Sequence, residues 1–158
     1  MNQTKTNAMR ELERAGIEYK HYTYDPNETE GIKVAALVGR PQERVFKTLV
    51  TESSKRVHYV FVIPVAQTLD LKAAARAVGE KSVQMIKQEE LLPLTGYIHG
   101  GCSPIGMKKL FHTTIHESAQ NFPTILCSAG KIGHQLELSL DSLQQVVPFQ
   151  LGDIIVKK

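Results

Sequence analysis

Apolar residues near the start of the chain recur at helical spacing. Ala8, Leu12 and Ala15 share one face, the segment Thr4–Asn7 supplies candidate caps, and Gly16 closes it, so a helix over residues 5–15 is predicted. Residues 17–24 (IEYKHYTY) alternate and are rich in β-formers, which predicts a strand stopped by Asp25-Pro26. Residues 32–38 (IKVAALV) read as a short helix ended by Gly39, with Pro41 preventing its continuation. Two apolar runs follow, 45–51 and 57–65, joined by the polar connection Glu52-Ser-Ser-Lys-Arg56; they predict a hairpin, with Pro64 at a strand end or edge.

Asp70 is a cap for a helix over 71–78, which Gly79 closes. Residues 81–86 predict a short strand and 88–92 a helical turn before Pro93. The stretch 95–109 (TGYIHGGCSPIGMKK) reads as a short strand that breaks into Gly100-Gly101. Strands are predicted at 112–116, 123–128 and 135–138, a helix near 143–147 capped by Ser139 or Asp141, and a final short strand at 154–156. Helices and strands mix without strict βαβ alternation, and several links are of hairpin length. The expected architecture is a single α+β domain over residues 1–158, with a mixed, partly barrel-like sheet flanked by helices.

One position disturbs the pattern. Lys47 lies inside the apolar run Val45-Phe46-Lys47-Thr48-Leu49-Val50. A cation among strand-forming residues is costly unless it lies on a solvated face or serves a site, and the residues alone leave both open.

Composition narrows the function classes. Lys+Arg 19 against Asp+Glu 16 is mildly basic, which permits contact with a phosphate backbone without demanding it. There is no run of like charges of the kind that forms a nucleic-acid tail. Tryptophan is absent and aromatics are few, which disfavours a stacking platform for single strands. The N-terminus has no signal-peptide core and no window approaches a membrane span, so a cytoplasmic protein is expected, with Cys102 and Cys127 as reduced thiols. The basic residues Arg40, Arg44, Lys55, Arg56, Lys72, Arg76, Lys108 and Lys109 are scattered; they read either as a solvated surface or as a converging footprint for RNA.

Besides Lys47, candidate chemistry falls into two small-residue clusters and one cysteine. Gly100-Gly101, with Ser103-Pro104 and Gly106, lets backbone approach a ligand and point amides at a developing oxyanion, or is an ordinary turn. Its spacing matches neither the dinucleotide fingerprint nor the P-loop. Ser128-Ala129-Gly130 offers a hydroxyl and free amides, or a plain strand-ending turn. Cys102 as a nucleophile would need a base such as His99, His112 or His116, and the same histidines offer no third ligand at zinc spacing, so no metal is expected.

Taken in order, V-F-K-T-L-V, then G-Y-I-H-G-G-C-S-P-I-G, then C-S-A-G-K-I-G with an alternating Q-L-E-L strand resemble the YbaK family of free-standing aminoacyl-tRNA deacylases, related to the editing insertion of bacterial prolyl-tRNA synthetases. The resemblance also takes in the N-terminal helix, the I-x-Y-x-H-x-x-Y strand and L-D-L-K at 69–72. It implies hydrolysis of a mischarged tRNA, foremost Cys-tRNA(Pro), with Cys-tRNA(Cys) as a further substrate. A synthetase for proline misloads cysteine because the side chains are of similar size.

The same resemblance implies that Lys47 is the essential cation, and that Tyr19, Thr48, Gly100, Gly101, Ser103, Pro104, Ser128 and Gly130 line the pocket for the aminoacyl end. It implies no metal, no cofactor and no protein nucleophile: the substrate's own thiol attacks its ester, releasing tRNA and a cyclic thioester. Thr48 after the lysine favours the cysteine-clearing branch, since relatives acting on alanyl-tRNA(Pro) carry asparagine there. The expected partners are the aminoacyl end of tRNA and a prolyl-tRNA synthetase complex, with neither DNA nor membrane.

Two positions depart from the family pattern: Cys102, where an aliphatic residue is usual, and Lys131-Ile-Gly-His-Gln135, where charges are usual. A non-catalytic RNA- or synthetase-binding module, and a deacylase for alanine or serine, stand as alternatives.

Overall fold

The structure is a computed structural model that describes residues 5–28 and 30–157. Helix α1 spans Asn7–Arg14. Of its candidate caps Thr4 lies outside the described residues, and Thr6 does the capping, accepting the Met9 N–H at 3.2 Å. At the other end the amide of Ile17 donates to the Leu12 carbonyl and that of Gly16 to Glu13, the paired bonds of a Schellman ending. This ending uses the first residues of the alternating run, so strand β1 is only Lys20–Thr23.

Helix α2 (Gly31–Leu37) and a 3-10 turn at Gln42–Arg44 lead into the hairpin of β2 (Phe46–Ser53) and β3 (His58–Pro64). Pro64 is the last residue of its strand, opposite Phe46. Helix α3 (Leu71–Val78) has Asp70 as its cap, accepting from the amides of Lys72 and Ala73, and Gly79 just past its end. β4 is Val83–Met85. Helix α4 (Gln88–Thr95) runs through Pro93 rather than stopping before it. The proline forfeits one amide bond, and the turn is held instead by Thr95 Oγ1 on the Leu91 carbonyl and the Gly96 amide on Leu92.

The strand expected just before Gly100-Gly101 does not form. Thr95 Oγ1 accepts the Tyr97 amide, and the Tyr97 hydroxyl donates to the Ile105 carbonyl, so local side-chain bonds replace a ladder. β5 (His112–His116), a 3-10 turn at Glu117–Asn121, β6 (Ile125–Ser128) and β7 (His134–Leu138) follow. Helix α5 (Leu140–Val146) is capped by Ser139, and β8 is Phe149–Gly152. The last strand therefore precedes the expected one. Ile154 is buried in the core with its amide on His116 Nδ1, and Ile155 makes only an isolated bridge to Leu69.

The strands form two sheets: an antiparallel one in the order β1-β7-β6 and a mixed one in the order β4-β2-β3-β5-β8, in which β3, β5 and β8 run parallel. A parallel bridge between Val45 and Leu126 links them, just where the chain enters β2. Both sheets contribute to one core: Phe46, Val50, Val60 and Val62 meet Ile125, Cys127, Leu136 and Leu138, with Leu12 of α1 and Leu143 of α5 closing it. A smaller core under α3 holds Phe61, Ile63, Ala74 and Ala75. β3 is thus buried on both faces, which is why its sequence is nearly continuously apolar. The α+β class, with a mixed sheet curled toward a second one and flanked by helices, agrees with the expectation.

Candidate active site

A cavity of about 430 Å³ opens where β2 begins. Its wall takes residues 45–49 from β2 and its approach, Glu30, Gly31, Ile32 and Val34 from α2 and its cap, and Val65 just past β3. It also takes His99, Gly100 and Cys102 from the irregular segment, and Ser128 and Gln135 from the ends of β6 and β7. The size is ordinary for a small-molecule site.

Lys47 lies in this wall, partly buried, opposite Ile63 on β3. Burial pushes its pKa below the usual lysine value of 10.5, and no carboxylate among the described residues comes within ion-pair reach of it. Two further polar atoms at the cavity lack a partner among the described residues: Thr48 Oγ1 and Gln135 Oε1. Gln135 is only 6% exposed. Each orphaned acceptor costs about 1 to 3 kcal/mol unless something donates to it.

Of the residues singled out from sequence, Lys47, Thr48, Gly100 and Ser128 converge on this cavity. Ser128 Oγ accepts the Gly130 amide at 3.0 Å, which shapes the turn. The others stand in supporting positions. Gly101 packs against the backbone of Lys131 and Ile132, where a Cβ would come 3.0 Å from the Ile132 nitrogen. Its amide donates to the Ile98 carbonyl, whereas the amides of Gly100 and Cys102 have no protein acceptor among the described residues. Gly130 has φ +96°, and a Cβ there would meet the Tyr97 ring at 2.6 Å. Ser103 is fully buried, its Oγ accepting the Ile105 amide. Pro104 borders a second, smaller cavity, and Tyr19 donates to Glu13 outside the larger one.

Cys102 borders the cavity but is 8% exposed, and burial pushes its thiol up to about 12. A thiol held in that form is a poor nucleophile near neutrality. The bases weighed for it are dispersed: His116 Nδ1 accepts the Ile154 amide, His112 packs edge-on against Tyr59, and only His99 reaches the cavity. Among the described residues no cluster of three or more metal-binding side chains exists.

Two of the scattered basic residues are engaged within the protein. Arg40 and Arg44 turn inward to a single carboxylate, Glu137, at 3.4 and 3.2 Å. Sequence reasoning passed over Glu137 because it read as one alternating position of a strand. Gln135 was legible only as a departure from a charged pattern, and its side chain is the one that reaches the cavity.

The model of the aminoacyl-tRNA editing domain family matches residues 26–146, and the chain belongs to that family. A protein of Enterococcus faecalis, EbsC, provisionally named a Cys-tRNA(Pro)/Cys-tRNA(Cys) deacylase, is 44% identical over 99% of this chain and 96% of its own length. Two crystal structures share the fold. One is described provisionally as a trans-editing enzyme for prolyl-tRNA synthetase (23% identity, TM-score 0.87, 98% of this chain and all of that one). The other is the hypothetical protein APE2540 (19% identity, TM-score 0.87, 96% of this chain and all of that one). No helix among the described residues is long and apolar enough to cross a membrane.

Proposed function

We propose that this chain is a deacylase that clears cysteine from tRNA(Pro), with Cys-tRNA(Cys) as a second substrate. The observation that carries it is Lys47: a partly buried cation with no carboxylate partner among the described residues, in a cavity where Thr48 Oγ1 and Gln135 Oε1 also lack partners. Membership of the editing family and the likeness to EbsC supply the substrate class.

The chemistry needs no protein nucleophile. The substrate's thiol attacks its own ester carbonyl, a C–S bond forms, and the C–O bond to the terminal ribose breaks. The proton leaves sulfur and ends on the ribose oxygen, and water then opens the cyclic thioester. During attack, negative charge builds on the carbonyl oxygen. In this reading the unpaired amides of Gly100 and Cys102, both cavity-lining residues, receive it, while Lys47 orients the terminal ribose or phosphate. Gln135 Oε1 and Thr48 Oγ1 accept hydrogen bonds from the aminoacyl end. Ser128 shapes the floor. Selection of tRNA(Pro) is assigned to presentation by prolyl-tRNA synthetase.

Cys-, Ala- and Ser-tRNA(Pro), offered separately, test the reading. Rapid loss of the cysteinyl ester alone is expected. Survival of Cys-tRNA(Pro) at the rate of buffer hydrolysis would sink it, and tRNA binding without any deacylation would make the chain a binding module instead.

A further inference from the structure

Glu137 lies on β7, 6% exposed, two residues beyond Gln135 and hence on the same face of the strand. Its carboxylate collects donors from separate parts of the chain. Tyr22 of β1 and Thr124, just before β6, give hydroxyls; Arg40 Nε (3.4 Å) and Arg44 Nη2 (3.2 Å) give guanidinium N–H groups. The donors are tied to one another as well. Arg40 Nη2 donates to the Tyr22 hydroxyl at 2.8 Å, and Arg44 bonds both the carbonyl and the hydroxyl of Thr124. Arg40 stacks over the Tyr22 ring and Arg44 over Phe122.

Arg44 is followed directly by Val45, which bridges Leu126 of β6 and accepts the Val65 amide at 2.9 Å. Two residues later comes Lys47. The cluster therefore fastens the three-stranded sheet to the segment from which the lysine is launched, and it borders the cavity through Val45 and Gln135.

We infer that Glu137 is a positioning residue for Lys47: by holding Arg40 and Arg44 it sets where β2 starts relative to β6 and β7, and so keeps the lysine in the sheltered wall of the cavity. This deepens the deacylase reading and rests on it only for the kinetic arm of the test. Misplacement by about 1 Å costs on the order of a hundredfold in rate.

The test is Glu137→Gln in the full chain, with Tyr22→Phe as a milder variant that loses one donor and keeps the ring under Arg40. The lysine side-chain NMR signal of Lys47, assigned by its loss in Lys47→Arg, is titrated in each. The wild-type midpoint lies below the ordinary lysine value because of burial. Loosening the frame admits water and raises that midpoint, while mere removal of a nearby negative charge would lower it. In both variants the midpoint rises, and kcat on Cys-tRNA(Pro), measured on fully folded protein, falls about 10- to 100-fold in Glu137→Gln with KM changed by less than about twofold. A midpoint that stays put or falls in the folded variants overturns the inference. If instead the wild type fails to deacylate, the functional reading is lost while the titration still decides this one.

Discussion

Two polar side chains on β7 share a face, two residues apart, and live in opposite circumstances. Both are 6% exposed. The Glu137 carboxylate has two hydroxyl donors and two guanidiniums around it. The Gln135 carbonyl oxygen has none, and neither does the Thr48 hydroxyl nearby at the cavity. A buried polar group that is fully satisfied specifies structure, whereas one left unsatisfied is tolerated where a ligand completes it. The contrast separates the frame of this molecule from its working surface over the length of one dipeptide.

The largest effect expected of the frame is on stability. Glu137→Ala leaves two guanidiniums without their counter-charge and should cost about 3 to 5 kcal/mol, read as a lowered urea midpoint with unchanged slope. A loss under about 1 kcal/mol would break the comparison. The frame also sets an acid limit. Burial alone would raise the Glu137 pKa, but the hydroxyls of Thr124 and Tyr22 and the charge of Arg40 outweigh it, holding the group below its ordinary 4.5. Its stabilisation is therefore complete above that value and is lost as pH falls through the folded-state pKa. Glu137→Gln should flatten that acid limb in a stability profile taken between about pH 6 and pH 3.

On the cavity side the signs reverse. Gln135→Ala and Thr48→Val remove atoms that pay a desolvation cost without a bond, so each should leave stability within about 1 kcal/mol of the parent. Each should lower kcat/KM on Cys-tRNA(Pro) about tenfold. Strong destabilisation with full activity would place these groups in the frame after all. The smallest effect is expected at Cys102. With its thiol pushed up to about 12, Cys102→Ala should keep turnover within about threefold, and the native protein should resist alkylation at pH 8. A large loss of turnover would point to a thiol-dependent hydrolase.

The sequence made the periodic elements legible. Asp70 and Gly79 bound α3, and the alternation at 135–138 marks β7. The Lys47 strand and the two small-residue clusters, read in order, point to residues that line one cavity. Less legible was anything decided by distant partners. Whether the segment just before Gly100-Gly101 becomes a strand depends on the Tyr97 hydroxyl finding the Ile105 carbonyl, and whether 149–152 or 154–156 becomes the last strand depends on which segment β5 accepts. Likewise, Arg40 and Arg44 look like surface charges until Glu137, more than ninety positions on, is seen to claim both. The glycines show the same limit. Amides near Gly101 are expected to face a ligand; that of Gly101 itself closes a local turn, and its missing side chain makes room for Lys131 and Ile132.

Lys47 is where the account is most exposed. If it is kept for chemistry rather than for the fold, replacing it should remove activity and leave the scaffold whole. The direct measurement is the single-turnover rate of Cys-tRNA(Pro) deacylation by wild type and Lys47→Ala at equal folded concentration. A fall of at least about a hundredfold is expected in the variant, with an unfolding midpoint no lower than the parent's. A Lys47→Ala protein that clears the cysteinyl ester within a few-fold of the wild-type rate would contradict it.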